Sequence, residues 1–206
     1  MRVNLPTTLT LVRIVVIPLV VLLFLLPFGW ARPTAAFVFV FAGITDYLDG
    51  YLARRLNQTS GFGAFLDPVA DKLIVSTALV LLVQADPSPL MAILAAIIIG
   101  REITVSALRE WMAELGERAN VAVSILGKLK TTMQIVGLSF LIYEHDLYGM
   151  PTYAIGEVLL LVAGVLTIAS MIDYLRAAWP VLRAKTMTAG GTQNGVESSS
   201  GGTDSD

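Results

Sequence analysis

Apolar residues in this chain come in long unbroken stretches, without the two-residue alternation of an amphipathic strand. Six stretches stand out, running roughly from Leu9 to Phe28, Thr34 to Leu56, Phe65 to Val83, Leu90 to Leu108, Lys130 to Tyr143 and Tyr153 to Tyr174. The fourth continues in helix-compatible sequence to Leu115. Pro27, Gly29, Trp30 and Pro33 end the first stretch, and Gln84–Pro89, with prolines at 87 and 89, forms a turn between the third and fourth. About 20 helical residues cross a hydrocarbon layer of about 30 Å. A backbone in lipid must satisfy its own hydrogen bonds, so a spanning segment is a helix or part of a closed barrel, and unbroken runs select helices. The pattern predicts an all-α membrane protein with six transmembrane helices. Arg2 followed by an apolar run has the outline of a signal peptide, but further spans follow and no cleavage site is evident, so the first span is expected to stay.

Composition agrees: 55% of the residues are hydrophobic, only 15% are charged, and the mean hydropathy is +0.73. A soluble domain of this length carries more charge. The net charge of −2 matters less than where the charges fall. With six spans, Arg2, Arg54, Arg55, Arg109, Arg118, Lys128, Lys130, Arg176, Arg183 and Lys185 all lie at one side, whereas the first loop opposite has only Arg32 and the other two have no Lys or Arg. The excess of positive charge predicts that both termini are cytoplasmic. Trp30, Trp111, Trp179 and Tyr148 suit the membrane–water interface. The membrane domain is expected over residues 1–185. The remainder, 186–206, is rich in Gly, Ser, Thr and Asp and is expected to be a disordered tail. The chain has no cysteine and one histidine, His145, so disulfides, thiolate nucleophiles and histidine-rich metal sites drop out.

The chemistry lies between the second and third stretches. Asp46 and Asp49 are three residues apart and share a helix face; Asp67 and Asp71, four apart, share a face of the next helix. A short connection makes the two helices antiparallel neighbours, so four carboxylates within 26 residues can meet at the cytoplasmic end. Each ionisable group at membrane depth costs about 2.5–3.5 kcal/mol on insertion scales. Hard divalent cations remove that cost and the mutual repulsion, and oxygen-only ligands favour Mg²⁺, Mn²⁺ or Ca²⁺ over zinc. Two carboxylate pairs suit two metals clamping a phosphoryl group. Gly50, Ala53 and Gly63 leave room for a bulky ligand near the backbone, and Arg54 offers a phosphate fork.

These residues spell D-x2-D-G-x2-A-R-x8-G-x3-D-x3-D from Asp46 to Asp71, with every fixed position filled, and the chain thereby resembles the CDP-alcohol phosphatidyltransferases. Flanking segments Asn4-Leu-Pro-Thr-Thr-Leu-Thr-Leu-Val-Arg13, Arg101-Glu, Ser106-Ala-Leu-Arg-Glu-Trp-Met-Ala-Glu-Leu-Gly116 and Gly127-Lys-Leu-Lys-Thr-Thr132 are similar to the bacterial branch that makes phosphatidylglycerophosphate. The resemblance covers about residues 2 to 180. It implies transfer of a phosphatidyl group from CDP-diacylglycerol to sn-glycerol 3-phosphate, with CMP leaving, in a bacterial cytoplasmic (inner) membrane. It implies that Asp46, Asp49, Asp67 and Asp71 hold Mg²⁺ or Mn²⁺, that Asp71 is also the general base, and that Gly50, Ala53, Arg54 and Gly63 line the cytidine-diphosphate pocket. A homodimer embedded in membrane lipid is implied too, and no nucleic acid. The acceptor's phosphate needs a basic subsite, for which Arg101, Arg109 and Lys128 rank above Lys130.

Plainer readings stand beside these. Asp67 before Pro68 is a good helix N-cap. Lys128 and Lys130 suit positive-inside anchors, Arg101 and Glu102 a structural pair, and Arg109, Glu110 and Glu114 a solvated face. Gly156, Ala163, Gly164 and Ser170 suit close helix packing or a dimer contact. Two other functions stay open: the same chemistry with serine, inositol, inositol phosphate or phosphatidylglycerol as acceptor, and cation transport, because intramembrane carboxylates also mark ion pathways.

Overall fold

The computed structural model describes residues 5–56, 61–114 and 125–197; within these, the side chains at 5–7, 9, 46–56, 61–62, 64–65 and 125–128 and most beyond Arg176 fall outside the description. Six helices follow one another: α1 (Leu5–Leu25), α2 (Ala31–Leu56), α3 (Gly61–Ala85), α4 (Pro89–Glu114), α5 (Ile125–Tyr143) and α6 (Thr152–Glu197). Among the described residues the only strand-like pairing is a single bridge between Leu147 and Met150 in the α5–α6 turn. All six predicted stretches are helices, several extended into polar sequence. The α3–α4 turn shows why it sits where it does. Asp86 Oδ1 accepts from the Ser88 N–H at 3.2 Å, and Ser88 Oγ accepts from the Met91 N–H at 3.2 Å. Ser88 is therefore the N-cap of α4, with Pro89 in the first helical position where its missing N–H costs nothing.

Contacts between helices run α1–α2–α5–α6–α4–α3 and back to α1, with α3 also reaching α5 across this closed ring. The interior is filled by Leu23, Phe24, Phe39, Ala78, Leu79, Leu82, Met91, Ile98, Leu138, Leu141 and Leu160, with alanines where helices approach closely. The tightest approach is between α5 and α6. A Cβ on Gly137 would lie 3.1 Å from the Gly156 carbonyl oxygen, and one on Gly156 would lie 3.0 Å from that of Gly137. Gly164 meets Leu94 of α4, and Ser170 Oγ accepts from Arg101. With Ala163 fully buried as well, these four small positions make close contacts within the chain, as the helix-packing reading of them expects.

The outer surface is apolar. Phe37, Phe41 and Ile44 line the outside of α2, and Val158, Val165, Ile168 and Ile172 that of α6; spacings of three, four and seven residues are the helix period. Each of the other four helices also shows apolar residues outward, among them Val15, Val80, Ile93 and Val136. Continuous apolar faces all round a bundle are unfavourable in water and suited to lipid. Two helical stretches, Pro89–Glu114 and Thr152–Arg176, are long and apolar enough to cross a membrane, and only 28% of the apolar window in each is buried within the protein. Shorter apolar stretches are Thr10–Leu25, Ala31–Thr45 and Leu129–Tyr143. Their helices continue at one end into more polar sequence, which in α2 carries the first half of the motif.

Two local expectations change. Asp67 is not an N-cap, because α3 starts at Gly61 and encloses Pro68; the proline removes a helical N–H there and weakens one turn without ending the helix. At the other end of the chain α6 continues to Glu197, past the boundary at 185 where the tail was expected. Extending a helix needs no new nucleus, and Ala, Leu, Arg and Lys as far as Lys185 are good helix formers.

Candidate active site

Helix α1 organises the described half of the motif. Thr10 and Arg13 are almost one turn apart on α1, Asp67 and Asp71 just over one turn apart on α3, and the two pairs meet. The Thr10 hydroxyl donates to Asp67 Oδ1, and Arg13 Nη1 donates to Asp71 Oδ1 at 2.8 Å. Arg13 is sealed inside the bundle whereas Asp71 reaches its edge, with side chains 1% and 47% exposed. A guanidinium buried among apolar helices is expensive unless paired, so Asp71 satisfies Arg13 while Arg13 fixes Asp71. Gly63, one turn before Asp67, is buried.

Asp46, Asp49, Gly50, Ala53 and Arg54 lie on the C-terminal half of α2, and their side chains lie outside the described residues. Their helix packs on α1, which also holds α3, so α1 stands between the two halves of the motif. Among the described residues no three acidic or histidine side chains converge; Asp67 and Asp71 are the described pair. Both face α1, both are carboxylates, and Thr10 adds another oxygen. This donor set fits a hard divalent cation and offers nothing to a soft one.

A second polar cluster joins α4, α5 and α6 at the same end. Arg101 Nη1 donates to Glu102 Oε1 at 2.7 Å and Nη2 to Ser170 Oγ at 3.3 Å; Lys130 Nζ donates to the same Glu102 oxygen at 3.4 Å. Arg109 Nη2 donates to the Tyr174 hydroxyl at 3.2 Å. The guanidinium carbons of Arg101 and Arg109 lie 6.0 and 5.8 Å from the Tyr174 ring centroid, within range of a cation–π attraction. Three of the four basic candidates thus gather around Glu102 and Tyr174, while the Lys128 side chain lies outside the described residues. Lys130, ranked last by sequence, is 4% exposed. A bridge links the two clusters: Lys72, next to Asp71, donates to Ser106, which lies on α4 between Arg101 and Arg109.

The sequence reading gave no site role to Thr10, to Glu102 as a shared acceptor, or to Ser106, Ser170 and Tyr174. Arg13 carried a usable signal, a cation within an apolar stretch that demands a partner. The others are ordinary polar residues on helices, and only tertiary contact distinguishes them.

The chain matches the family model for CDP-alcohol phosphatidyltransferase over residues 3–171. The CDP-diacylglycerol–glycerol-3-phosphate 3-phosphatidyltransferase of Salmonella choleraesuis (strain SC-B67) is 52% identical over 178 residues, covering 86% of this chain and 96% of that protein. The protein of the same name from Escherichia coli (strain K12) is also 52% identical with the same coverage, and that from Shigella flexneri serotype 5b (strain 8401) is 51% identical. The family match runs from the start of α1 into α6 and so takes in both polar clusters apart from Tyr174; the chain belongs to the CDP-alcohol phosphatidyltransferase family.

Proposed function

We propose that this chain transfers the phosphatidyl group of CDP-diacylglycerol to the primary hydroxyl of sn-glycerol 3-phosphate, releasing CMP. The observation that carries the reading is the complete Asp46–Asp71 motif on α2 and α3, in a chain about half identical to relatives named for that reaction. The acceptor oxygen attacks the phosphorus next to diacylglycerol, the bond from that phosphorus to the CMP oxygen breaks, and the hydroxyl proton passes to Asp71. Asp71 needs hydrogen-bond reach to that hydroxyl, and its half-exposed side chain, anchored through one oxygen by Arg13, is suited to the task. Mg²⁺ or Mn²⁺ held by Asp46, Asp49, Asp67 and Asp71 would stabilise charge on the phosphoryl oxygens and on departing CMP. Gly50, Ala53, Arg54 and Gly63 form the cytidine-diphosphate side. Arg101, Arg109, Lys128 and Lys130 form the acceptor-phosphate side, with Glu102 and Tyr174 spacing the cations.

The same reading sets the protein in a bacterial cytoplasmic membrane as six spans, with both termini and the active site facing the cytoplasm, and as a homodimer, as the family resemblance implies. The apolar perimeter supports membrane embedding, and the one-sided distribution of Lys and Arg supports the orientation. A lipid substrate and a soluble one can meet only at an interface, where the polar helix ends lie.

The test is CMP release by purified protein in detergent, with CDP-diacylglycerol and one acceptor at a time. Release with glycerol 3-phosphate, abolished by EDTA and restored by Mg²⁺ or Mn²⁺, is the expected result. Release only with serine, inositol, inositol phosphate or phosphatidylglycerol would keep the chemistry and change the acceptor. Near-normal turnover in Asp67→Ala would contradict the metal assignment.

A further inference from the structure

At the end of the bundle opposite the carboxylates, the start of α2, the ends of α3 and α5 and the start of α6 line an open cavity of about 260 Å³, with Arg32, Leu82, Ala85, Glu144 and Tyr153 in its wall. At about 30 Å³ per water, this is room for several waters or one small head group. Arg32 is held firmly on two sides: its guanidinium carbon lies 3.7 Å from the Phe24 ring centroid, and its Nε donates to Glu144 Oε2 at 2.8 Å. Its Nη1, however, is buried and has no hydrogen-bond partner among the described residues. A buried donor on a charged group is costly to leave unmade, and here it belongs to a residue lining a cavity. Glu144 is unusual as well. It stands just after α5 with a left-handed φ of 65°, a conformation that is strained for a non-glycine residue. Such strain persists where surrounding contacts impose it, and here it presents the carboxylate to Arg32.

The charges at this end choose the ligand. Arg32 faces Glu144, and Asp86 accepts from the Tyr153 hydroxyl at 2.8 Å beside the same wall. Two carboxylates against one guanidinium make a simple anion a poor fit, whereas a molecule with both a phosphate and an ammonium group matches each sign. The phosphate completes the Arg32 donor set, and the three N–H donors of a primary ammonium suit the carboxylates. The setting points to a lipid. Phe28 and Trp30 stack at this end with centroids 5.7 Å apart, and both are exposed together with Leu25, Leu90, Tyr148 and Met150. Exposed aromatic and apolar residues at one end of a membrane bundle mark head-group depth and offer cover for acyl chains.

We propose that this cavity is a binding site for the head group of a phospholipid carrying both a phosphodiester and a primary ammonium, separate from the active site at the other end. The proposal rests on the membrane placement argued above and not on the transferase reaction. The test uses delipidated full-length protein in detergent and native mass spectrometry, with phosphatidylethanolamine, phosphatidylcholine and phosphatidylglycerol of identical acyl chains added singly. Retention of the ethanolamine lipid is expected to exceed that of the other two by about tenfold, equivalent to about 1.4 kcal/mol, and to fall by a similar factor in Arg32→Gln. Equal retention of all three lipids by the unaltered protein overturns the proposal, whether or not Arg32→Gln folds. So does soluble phosphoethanolamine binding as tightly as the lipid, which would make this a site for a soluble zwitterion. CMP release from the same preparation is read separately, so a failure of the transferase reading leaves this result interpretable.

Discussion

At the scale of single residues, the site depends on contacts that convert spacing into fixed geometry. The intervals between the four motif aspartates are legible in the sequence, and so is the cost of an unpaired Arg13. Thr10 is not, because a threonine in an apolar helix can equally bond its own preceding carbonyl, and only the approach of α3 shows that it serves Asp67. Thr10→Val keeps the shape and removes that donor. A hydrogen bond to a carboxylate is worth about 1.5–3 kcal/mol, less where water competes, so turnover is expected to fall about tenfold, with half-saturation moved to higher Mg²⁺. Unchanged metal titration together with unchanged turnover would remove Thr10 from the site. The acceptor cluster offers a separate check through Tyr174, which accepts from Arg109 and lies near Arg101. Tyr174→Phe removes one neutral acceptor, worth about 0.5–1.5 kcal/mol, and keeps the ring. The expected effect is a rise of about threefold in KM for glycerol 3-phosphate at unchanged kcat. Tyr174→Ala also removes the ring and should raise KM further. A loss confined to kcat would place Tyr174 with the reacting atoms instead. Why Lys130 ranked last is also physical: charge and position alone make it resemble any anchoring lysine, and its burial against Glu102 is a property of the assembled bundle.

Among the helices, existence and order were legible throughout because unbroken apolar runs leave few alternatives, whereas the ends were not. α1 and α3 both begin well before the apolar runs, since polar residues at the bundle's end are paired across helices and need not stop one. Helix partners were illegible too. Gly156 and Gly164 advertise a close approach, but not to which surface. The structure gives Gly156 to α5, where a Cβ would come 2.9 Å from Leu141 Cγ and 3.0 Å from the Gly137 carbonyl oxygen. One obstacle is a side chain that can turn; the other is backbone that cannot. Gly156→Ala is therefore expected to destabilise by about 1–3 kcal/mol, the usual cost of overpacking, read as a lowered Tm in detergent. Gly100 makes the control. It lies within α4, and a Cβ there would meet nothing within 4 Å, so Gly100→Ala should leave Tm unchanged or raise it through helix propensity. If both variants behave alike, the α5–α6 contact is not as close as described.

For the whole molecule, the two ends of the ring differ in kind, and that difference is what makes the fold an interfacial enzyme rather than a plain bundle. One end carries the motif aspartates, Arg13, Lys72 and the Arg101–Lys130 cluster; the other is closed by two short turns, an eight-residue loop over 144–151, and the pairs Arg32–Glu144 and Tyr153–Asp86. The gathering of Lys and Arg at one end of the helices was legible from the sequence, because it depends on counting and not on contact, and it is the ground for expecting that end in the cytoplasm. The geometry of the two ends was not, since each is built from residues far apart in the chain. The absence of cysteine makes sidedness directly measurable on a silent background. Ser88→Cys, in the α3–α4 turn, and Glu114→Cys, at the far end of α4, belong to opposite ends. In intact bacterial spheroplasts an impermeant maleimide is expected to label Ser88→Cys at once and Glu114→Cys only after lysis. The reverse pattern would put the carboxylates outside, away from the cytosolic glycerol 3-phosphate that the proposed reaction consumes, and would sink the reaction together with the orientation. Labelling of both sites before lysis would mean that the ring does not seal the membrane between them. With the expected pattern, the carboxylates, the basic cluster and the soluble substrate share one compartment, and the chemistry requires no further transport step.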